Sequence, residues 1–228
     1  ILLEGTENVL DLGCGDWRVT AEISKIVIRG SIIGVDNSAG MIKLATERHS
    51  AVKYPNLSFQ QMDACNLNFN ACFDLIFSNA ILHWLKDQKA AIKGMFKSLK
   101  NDGKVLLQMG GKGNAAKIVD VLSELHTGKE WNIYFKGFEF PFYFLGTNEY
   151  EELLLDCGFK LKRIELIPKN KEHNGIEALK GWISTSWLPY TQRITEEDRD
   201  KFIDIVIKKY IQKYPANSEG IINVVMVR

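Results

Sequence analysis

The sequence predicts a doubly wound α/β fold: a mostly parallel sheet with helices on both faces. Three observations predict it. Short runs rich in β-branched residues alternate with amphipathic stretches of roughly 10–15 residues. The first run breaks into a Gly-x-Gly turn, and successive runs end on polar residues. Alternation of this kind builds βαβ units, and right-handed crossovers stack their helices on either side of one sheet.

In chain order, Val9-Leu10-Asp11-Leu12 is the first strand and Gly13-Cys14-Gly15 the turn after it. Gly13 permits a tight turn, and Gly15 lets a ligand approach a backbone that carries no Cβ. Val19, Ile23, Ile26 and Val27 then follow helical spacing up to Gly30. Ser31–Val35 is the second strand, ending at Asp36, and Ser38 caps a helix carrying Met41, Ile42, Leu44 and Ala45. Leu57–Gln61 is the third strand, running into Met62-Asp63-Ala64 after a Tyr54-Pro55-Asn56 turn. The fourth strand, Phe73–Ser78, ends at Asn79-Ala80-Ile81-Leu82-His83-Trp84. Asp87 caps a helix with Ala91, Met95, Phe96 and Leu99 on one face, closed by Asn101-Asp102-Gly103, and Lys104–Met109 is the fifth strand.

The second half predicts helices over 114–126, 147–157, 176–187 and 196–213, with Thr147 capping the second and a Thr195/Asp198 capping box opening the last. Strands over 159–167 and 221–227 bring the expected sheet to seven. Trp131, Tyr134, Phe135, Phe138, Phe140, Phe142, Tyr143 and Phe144 form a dense aromatic stretch, read as a lid packing on the core. The expected organisation is one domain, with residues 1–112 as the cofactor-binding half and 113–228 as lid helices plus the last two strands.

Composition narrows the partners. A net charge of +1 over 228 residues gives no basis for nucleic acid or an anionic membrane, and no apolar run approaches the ~18 residues of a membrane span. A small molecule is the expected partner, with the chain a monomer or homodimer. Four cysteines without a Cys-x-x-Cys pair read as reduced thiols in the cytoplasm, and the four histidines form no metal-like cluster. The chain opens on Ile1 almost directly before a strand, so a further N-terminal segment is expected.

The chemistry is carried by the strand ends, because open α/β sheets bind ligands beyond the carboxyl ends of their strands. Asp36 stands about 20 residues beyond the glycines, where a carboxylate accepts from both hydroxyls of a ribose. Two cofactors compete for such a site. A nicotinamide dinucleotide asks for a third glycine where Arg18 stands, which disfavours an oxidoreductase. S-adenosylmethionine asks for no phosphate; Asp11 can meet its ammonium and Asp63 its adenine amine.

Asp11-Leu12-Gly13-Cys14-Gly15, Gly34-Val35-Asp36-Asn37-Ser38, Met41, Asp63-Ala64 and Asn101-Asp102-Gly103 resemble the successive motifs of class I S-adenosylmethionine-dependent methyltransferases. The likeness covers about the first 110 residues and implies their Rossmann-like fold. Phe77 to Leu85, Tyr150…Leu153…Cys157-Gly158-Phe159, Trp182-Ile183…Leu188-Pro189-Tyr190 and the helix from Thr195 are similar to the trans-aconitate methyltransferase group, which includes insect juvenile hormone acid methyltransferases. That likeness implies methylation of a small carboxylate. Asp11, Gly13, Cys14, Gly15, Trp17, Asp36, Asn37, Met41, Asp63, Ala64, Asn79 and Ala80 are then the expected cofactor residues.

A carboxylic acid of pKa ~4 is ionised at neutral pH, so such a reaction needs alignment and desolvation rather than a strong base. His83 is expected to orient the acceptor and Trp84 to wall its pocket, with Trp131, Trp182, Tyr190 and Arg193 as further acceptor residues. One residue departs from the family: its usual third glycine falls on Trp17, whose ring must lie near the methionine end or against the first helix. That departure also motivates a different class of reading, a non-catalytic binder of S-adenosylmethionine.

Overall fold

The computed structural model describes residues 2–49 and 53–228. They fall into two compact units, one of residues 1–110 and 142–165, the other of residues 111–141 and 166–228.

The first unit is built on five strands, β1 (Asn8–Leu12), β2 (Ser31–Asp36), β3 (Leu57–Gln61), β4 (Phe73–Asn79) and β5 (Leu99–Gln108). They lie in the order β3-β2-β1-β4-β5, and every neighbouring pair is parallel. The chain therefore winds outward from β1 to β3, then returns to the other side of β1 for β4 and β5. That reversal opens a crevice at the carboxyl ends of β1 and β4.

The central strands β1, β2 and β4 are buried on both faces. Leu10, Leu12, Phe73 and Ile76 pack with Ala91, Ile92 and Met95 of α3 (Gln88–Ser98) and with Tyr150 and Leu154 of α5 (Thr147–Asp156). Val9, Ile32, Leu57 and Leu75 point the other way, onto Ala21 of α1 (Arg18–Ser24) and Val27. Alternate residues of β1 thus feed opposite layers, each buried Leu, Ile or Val contributing on the order of 1.5–3 kcal/mol. Helix α2 (Ala39–Arg48) starts where expected, the Ser38 hydroxyl accepting from the Met41 N–H at 3.3 Å. Asp87 likewise caps α3 through the Ala90 N–H at 2.9 Å.

The second unit holds α4 (Ala116–Thr127), β6 (Pro168–Asn174), α6 (Gly175–Ser186), α7 (Leu188–Thr191), α8 (Glu196–Lys213) and β7 (Ile221–Val227). Its strands pair only with each other, antiparallel. Seven strands are present among the described residues, but as a five-stranded and a two-stranded sheet rather than the single seven-stranded sheet expected.

Four local expectations need correction. The strand expected over 159–167 is not a strand: Phe159, Leu161 and Ile164 lie against the apolar core of the first unit without a ladder partner. The strand falls instead on Pro168–Asn174, a polar segment chosen by pairing with β7. Helix α3 ends at Ser98, and Asn101-Asp102-Gly103 lies inside β5, where its register with β4 shifts, with Asp102 in the left-handed region (φ 62°). Gly146 rather than Thr147 is the N-cap of α5, its N–H held by the Glu149 carboxylate at 2.7 Å. At α8 the box does not form: Thr195 Oγ1 meets Asp198 Oδ2 at 3.5 Å, and that oxygen also accepts from Tyr134 Oη at 2.7 Å. Among the described residues no helix is long and apolar enough to cross a membrane.

One buried polar relay steadies the segment after Pro141. Gln88 is 4% exposed; its Nε2 donates to the Tyr143 carbonyl at 2.9 Å and its Oε1 accepts from Tyr150 Oη. Tyr150→Phe should lower stability by about 1–3 kcal/mol in urea unfolding, because the buried Gln88 oxygen loses its donor; an unchanged midpoint would show the relay to be dispensable.

Candidate functional site

The crevice is assembled from strand ends. Gly13 and Cys14 both donate their N–H groups to the Val35 carbonyl, at 2.8 and 3.0 Å, so the loop after β1 folds over the end of β2. Gly13 has φ 78°, and a Cβ there would lie 2.7 Å from Ile81. At Gly15 a Cβ would meet only the Gly13 carbonyl, at 4.0 Å, which leaves the loop's backbone open to a ligand.

Asp36 ties this loop to the next turn. Its Oδ2 accepts from the Gly15 N–H at 3.0 Å and its Oδ1 from the Ser38 N–H at 2.9 Å. A carboxylate has about four acceptor positions, so two bonds leave capacity for a diol. Asp63 follows β3 and is built the same way, Oδ1 accepting from the Cys65 N–H at 2.9 Å and Oδ2 from Asn66 Nδ2 at 3.3 Å. Asn37 is exposed beside Asp36 and its carbonyl accepts from Gln61 Nε2. Met41 sits half-buried in the first turn of α2. Ala64 is buried in the core, while Asn79 and Ala80 close β4 on the same edge of the sheet.

Asp11 takes a different place. It is 2% exposed, below the loop, and accepts from Thr20 Oγ1 at 2.7 Å. Beside it, Ser78 Oγ donates to the Leu12 carbonyl at 2.8 Å, joining β4 to β1 under the crevice. Burial pushes the Asp11 carboxyl up to about 6, helped by the charge of Asp36 and opposed by Thr20. Burial, with Asp11 and Asp36 near, likewise pushes the Cys14 thiol up to about 12, so this cysteine is no nucleophile at neutral pH.

Trp17 keeps the backbone a glycine would have. Its φ is 56°, its N–H donates to the Cys14 carbonyl at 2.8 Å, and its ring leaves the loop sideways. The ring lies under the Arg48 guanidinium (5.4 Å) and edge-on to His49 (6.3 Å).

His83 and Trp84 form a short turn just beyond β4. His83 Nδ1 accepts from the Gly110 N–H at 3.2 Å, and the His83 carbonyl accepts from the Tyr143 N–H at 2.7 Å. The imidazole stacks on Phe142 and Phe144 (6.0 and 5.6 Å), and Trp84 packs on Phe142 at 4.5 Å. The aromatic stretch expected as one lid is therefore divided: Phe142 to Phe144 build the surroundings of His83, whereas Trp131, Tyr134, Phe135 and Phe138 belong to the second unit.

In that unit Trp131 and Tyr190 are core residues, 3% and 0% exposed, linked through Phe135 and Phe202. Trp182 packs on His173 at 5.0 Å beneath Lys171. Arg193 holds the carbonyls of Tyr134 and Lys136, both at 3.4 Å, and covers Phe138. These four are bound into their own unit's packing. Thr20, Phe142 and Phe144 stand against Asp11 and His83 without having been singled out as site residues from the sequence; the Asp11–Thr20 spacing was open to helical reasoning, while the Phe142–His83 contact had no local signal.

With this geometry in view, the comparisons with known proteins agree. A model of the methyltransferase domain matches residues 3–140. A trans-aconitate 2-methyltransferase from Enterobacter is 28% identical over 96% of this chain and 83% of its own length. The juvenile hormone acid O-methyltransferase of Drosophila melanogaster is 26% identical over 95% and 76% respectively. The crystal structure of the YcgJ protein of Bacillus subtilis superposes with a TM-score of 0.68 at 20% identity, over 99% of this chain and 90% of that one. The chain belongs to the methyltransferase domain family, as a class I S-adenosylmethionine-dependent enzyme, which sets the nicotinamide alternative aside.

The buried carboxyl carries a pH signature. A group whose folded pKa lies above its unfolded value of about 3.9 holds more protons when folded, so its contribution is present below about pH 4 and lost as pH rises through about 6. The loss is on the order of 3 kcal/mol. Asp11→Asn still offers an oxygen to Thr20, and urea titrations at about pH 4 and about pH 7 should show wild type losing stability relative to the variant. Parallel profiles would contradict a buried ionisable Asp11.

Proposed function

We propose that this methyltransferase transfers the methyl group of S-adenosylmethionine to the carboxylate of a small-molecule acid, giving a methyl ester. The observation that carries the reading is the placement of His83 just beyond β4, held by the Gly110 N–H. A ring nitrogen that accepts from a backbone N–H carries no proton, so Nδ1 is bare and Nε2 bears the N–H. That bond and the rings of Trp84, Phe142 and Phe144 hold the imidazole just beyond β4, where it can orient an acceptor carboxylate.

Bound S-adenosylmethionine supplies a methyl group activated on sulfonium. The residues present fit it: Asp36 for the ribose hydroxyls, Asp63 for the adenine amine, Gly13, Cys14 and Gly15 for backbone approach, with Asn37, Met41, Ala64, Asn79 and Ala80 around them. Asp11 acts from below, holding α1 and the loop through Thr20 rather than touching the ligand. The acceptor arrives ionised, so this chain has to bind, orient and shed water from it; no general base is required. Aromatic walls favour an acid with a sizeable apolar body. The four free thiols suit a reducing cytoplasm.

The outward ring and glycine-like backbone of Trp17 favour catalysis over the reading of a non-catalytic binder.

Calorimetry tests the cofactor site: wild type should bind S-adenosylmethionine and S-adenosylhomocysteine, and Asp36→Ala should weaken both at least about tenfold. Binding of neither ligand to wild type would overturn the reading. At the acceptor, His83→Ala should lower kcat/KM for acids by roughly 10–100-fold while the cofactor Kd stays constant, the cost of one hydrogen bond to a charged group. In an acid panel, citrate-like substrates outrunning terpenoid or fatty acids would count against the apolar preference.

A further inference from the structure

The ring of Trp17 lines a second cavity that shares no other residue with the crevice. It measures about 330 Å³, with Ala21 as its floor and the rings of Trp17, His49 and Tyr54 as walls. Arg18, Glu22 and Lys25 complete its rim. Its volume lies at the small end of ligand pockets, enough for one mono- or bicyclic ring system and too little for a peptide or lipid chain.

Three features define what would fit. The walls are aromatic and mutually edge-on: His49 stands at 64° to Trp17 and at 73° to Tyr54, its centroid 4.9 Å from the latter. Planar rings pack on such walls by face or by edge. The charge around them is cationic, with Arg18, Lys25, Arg48 and Lys53 set against Asp16 and Glu22. Asp16 pairs with Arg18 and Glu22 with Lys25, whereas Arg48 and Lys53 lie over the rings of Trp17 and Tyr54. Finally, both imidazole nitrogens of His49 are shielded from solvent and have no hydrogen-bond partner among the described residues. Burial and the charges of Lys53, Arg48 and Lys25 hold its pKa below the ordinary value, so the ring is neutral, one nitrogen a donor and the other an acceptor.

We propose that this cavity is a binding site for a small planar aromatic anion of the aryl carboxylate class, its ring against Trp17 and Tyr54 and its charge toward Arg48 and Lys53. A tryptophan at this position then has a positive use. An ordinary residue in the left-handed region costs more than a half-exposed ring recovers from one cation over its face. Contact with a bound ring supplies an interaction that a glycine could not. The site is independent of the methyl-transfer reading, because binding is measured without cofactor.

Indole-3-carboxylate is the probe, titrated calorimetrically onto the whole chain, with uncharged indole and cyclohexanecarboxylate as controls. The expected result is binding of the aromatic anion at least tenfold tighter than either control. Trp17→Gly suits φ 56° and should weaken binding at least tenfold, as should His49→Ala. Trp84→Ala should leave binding intact, which separates this site from the acceptor site near His83. Circular dichroism confirms folding; should Trp17→Gly fail to fold, His49→Ala and Arg48→Met decide. No binding by about 1 mM, binding that survives these variants, or binding lost only in Trp84→Ala overturns the proposal.

Discussion

The carboxylate of Asp36 holds two turns at once, the glycine loop through Gly15 and the entry to α2 through Ser38. The shape of the crevice depends on that double hold. Backbone N–H groups at such turns need acceptors, and a single side chain at the end of β2 satisfies one from each. Both bonds use the edges of the carboxylate and leave lone pairs for a ligand's hydroxyls. Position in the sheet explains why this residue can do so: β2 lies beside β1 in parallel register, Leu12 opposite Val35, so the end of one strand meets the loop of the other.

Beneath that layer is a second one, buried among the strands and α1. Asp11 with Thr20 and Ser78 with the Leu12 carbonyl are buried side-chain bonds joining β1 to α1 and to β4. A charge at Asp11 is costly there, and its proximity to Asp36 adds to the cost. The position that suggested contact with an ammonium group is thus buried in the scaffold, and the more exposed carboxylates at the strand ends are Asp36 and Asp63.

Much of this was legible before any coordinates. The five parallel strands were readable because each is an apolar run bounded by a turn, and the caps Ser38 and Asp87 because an oxygen side chain at a helix start has one dominant use. Strand ends were readable for the same reason: in a parallel sheet they all face one edge. What escaped was set by distant partners. Pro168–Asn174 has no strand-like composition and becomes a strand only by pairing with β7, while Phe159, Leu161 and Ile164 have the composition and, among the described residues, pack on the core without pairing in a sheet. His83 was singled out, but its tautomer depends on the Gly110 N–H and its walls on Phe142 and Phe144, contacts across 27 residues and more. The division of the aromatic stretch at Pro141 likewise leaves no mark in composition.

Trp17 carries a lesson about how such loops are described. The quantity the loop requires at this position is a left-handed backbone with its substituent directed away from the crevice, and a tryptophan meets that requirement as a glycine does. A signature written as three glycines encodes the commonest residue rather than the geometric condition, and a search that insists on it would discard functional loops of this kind. Written as two glycines and a dihedral angle, the signature admits any side chain with somewhere outside the crevice to go, and so leaves that position free to acquire an unrelated task.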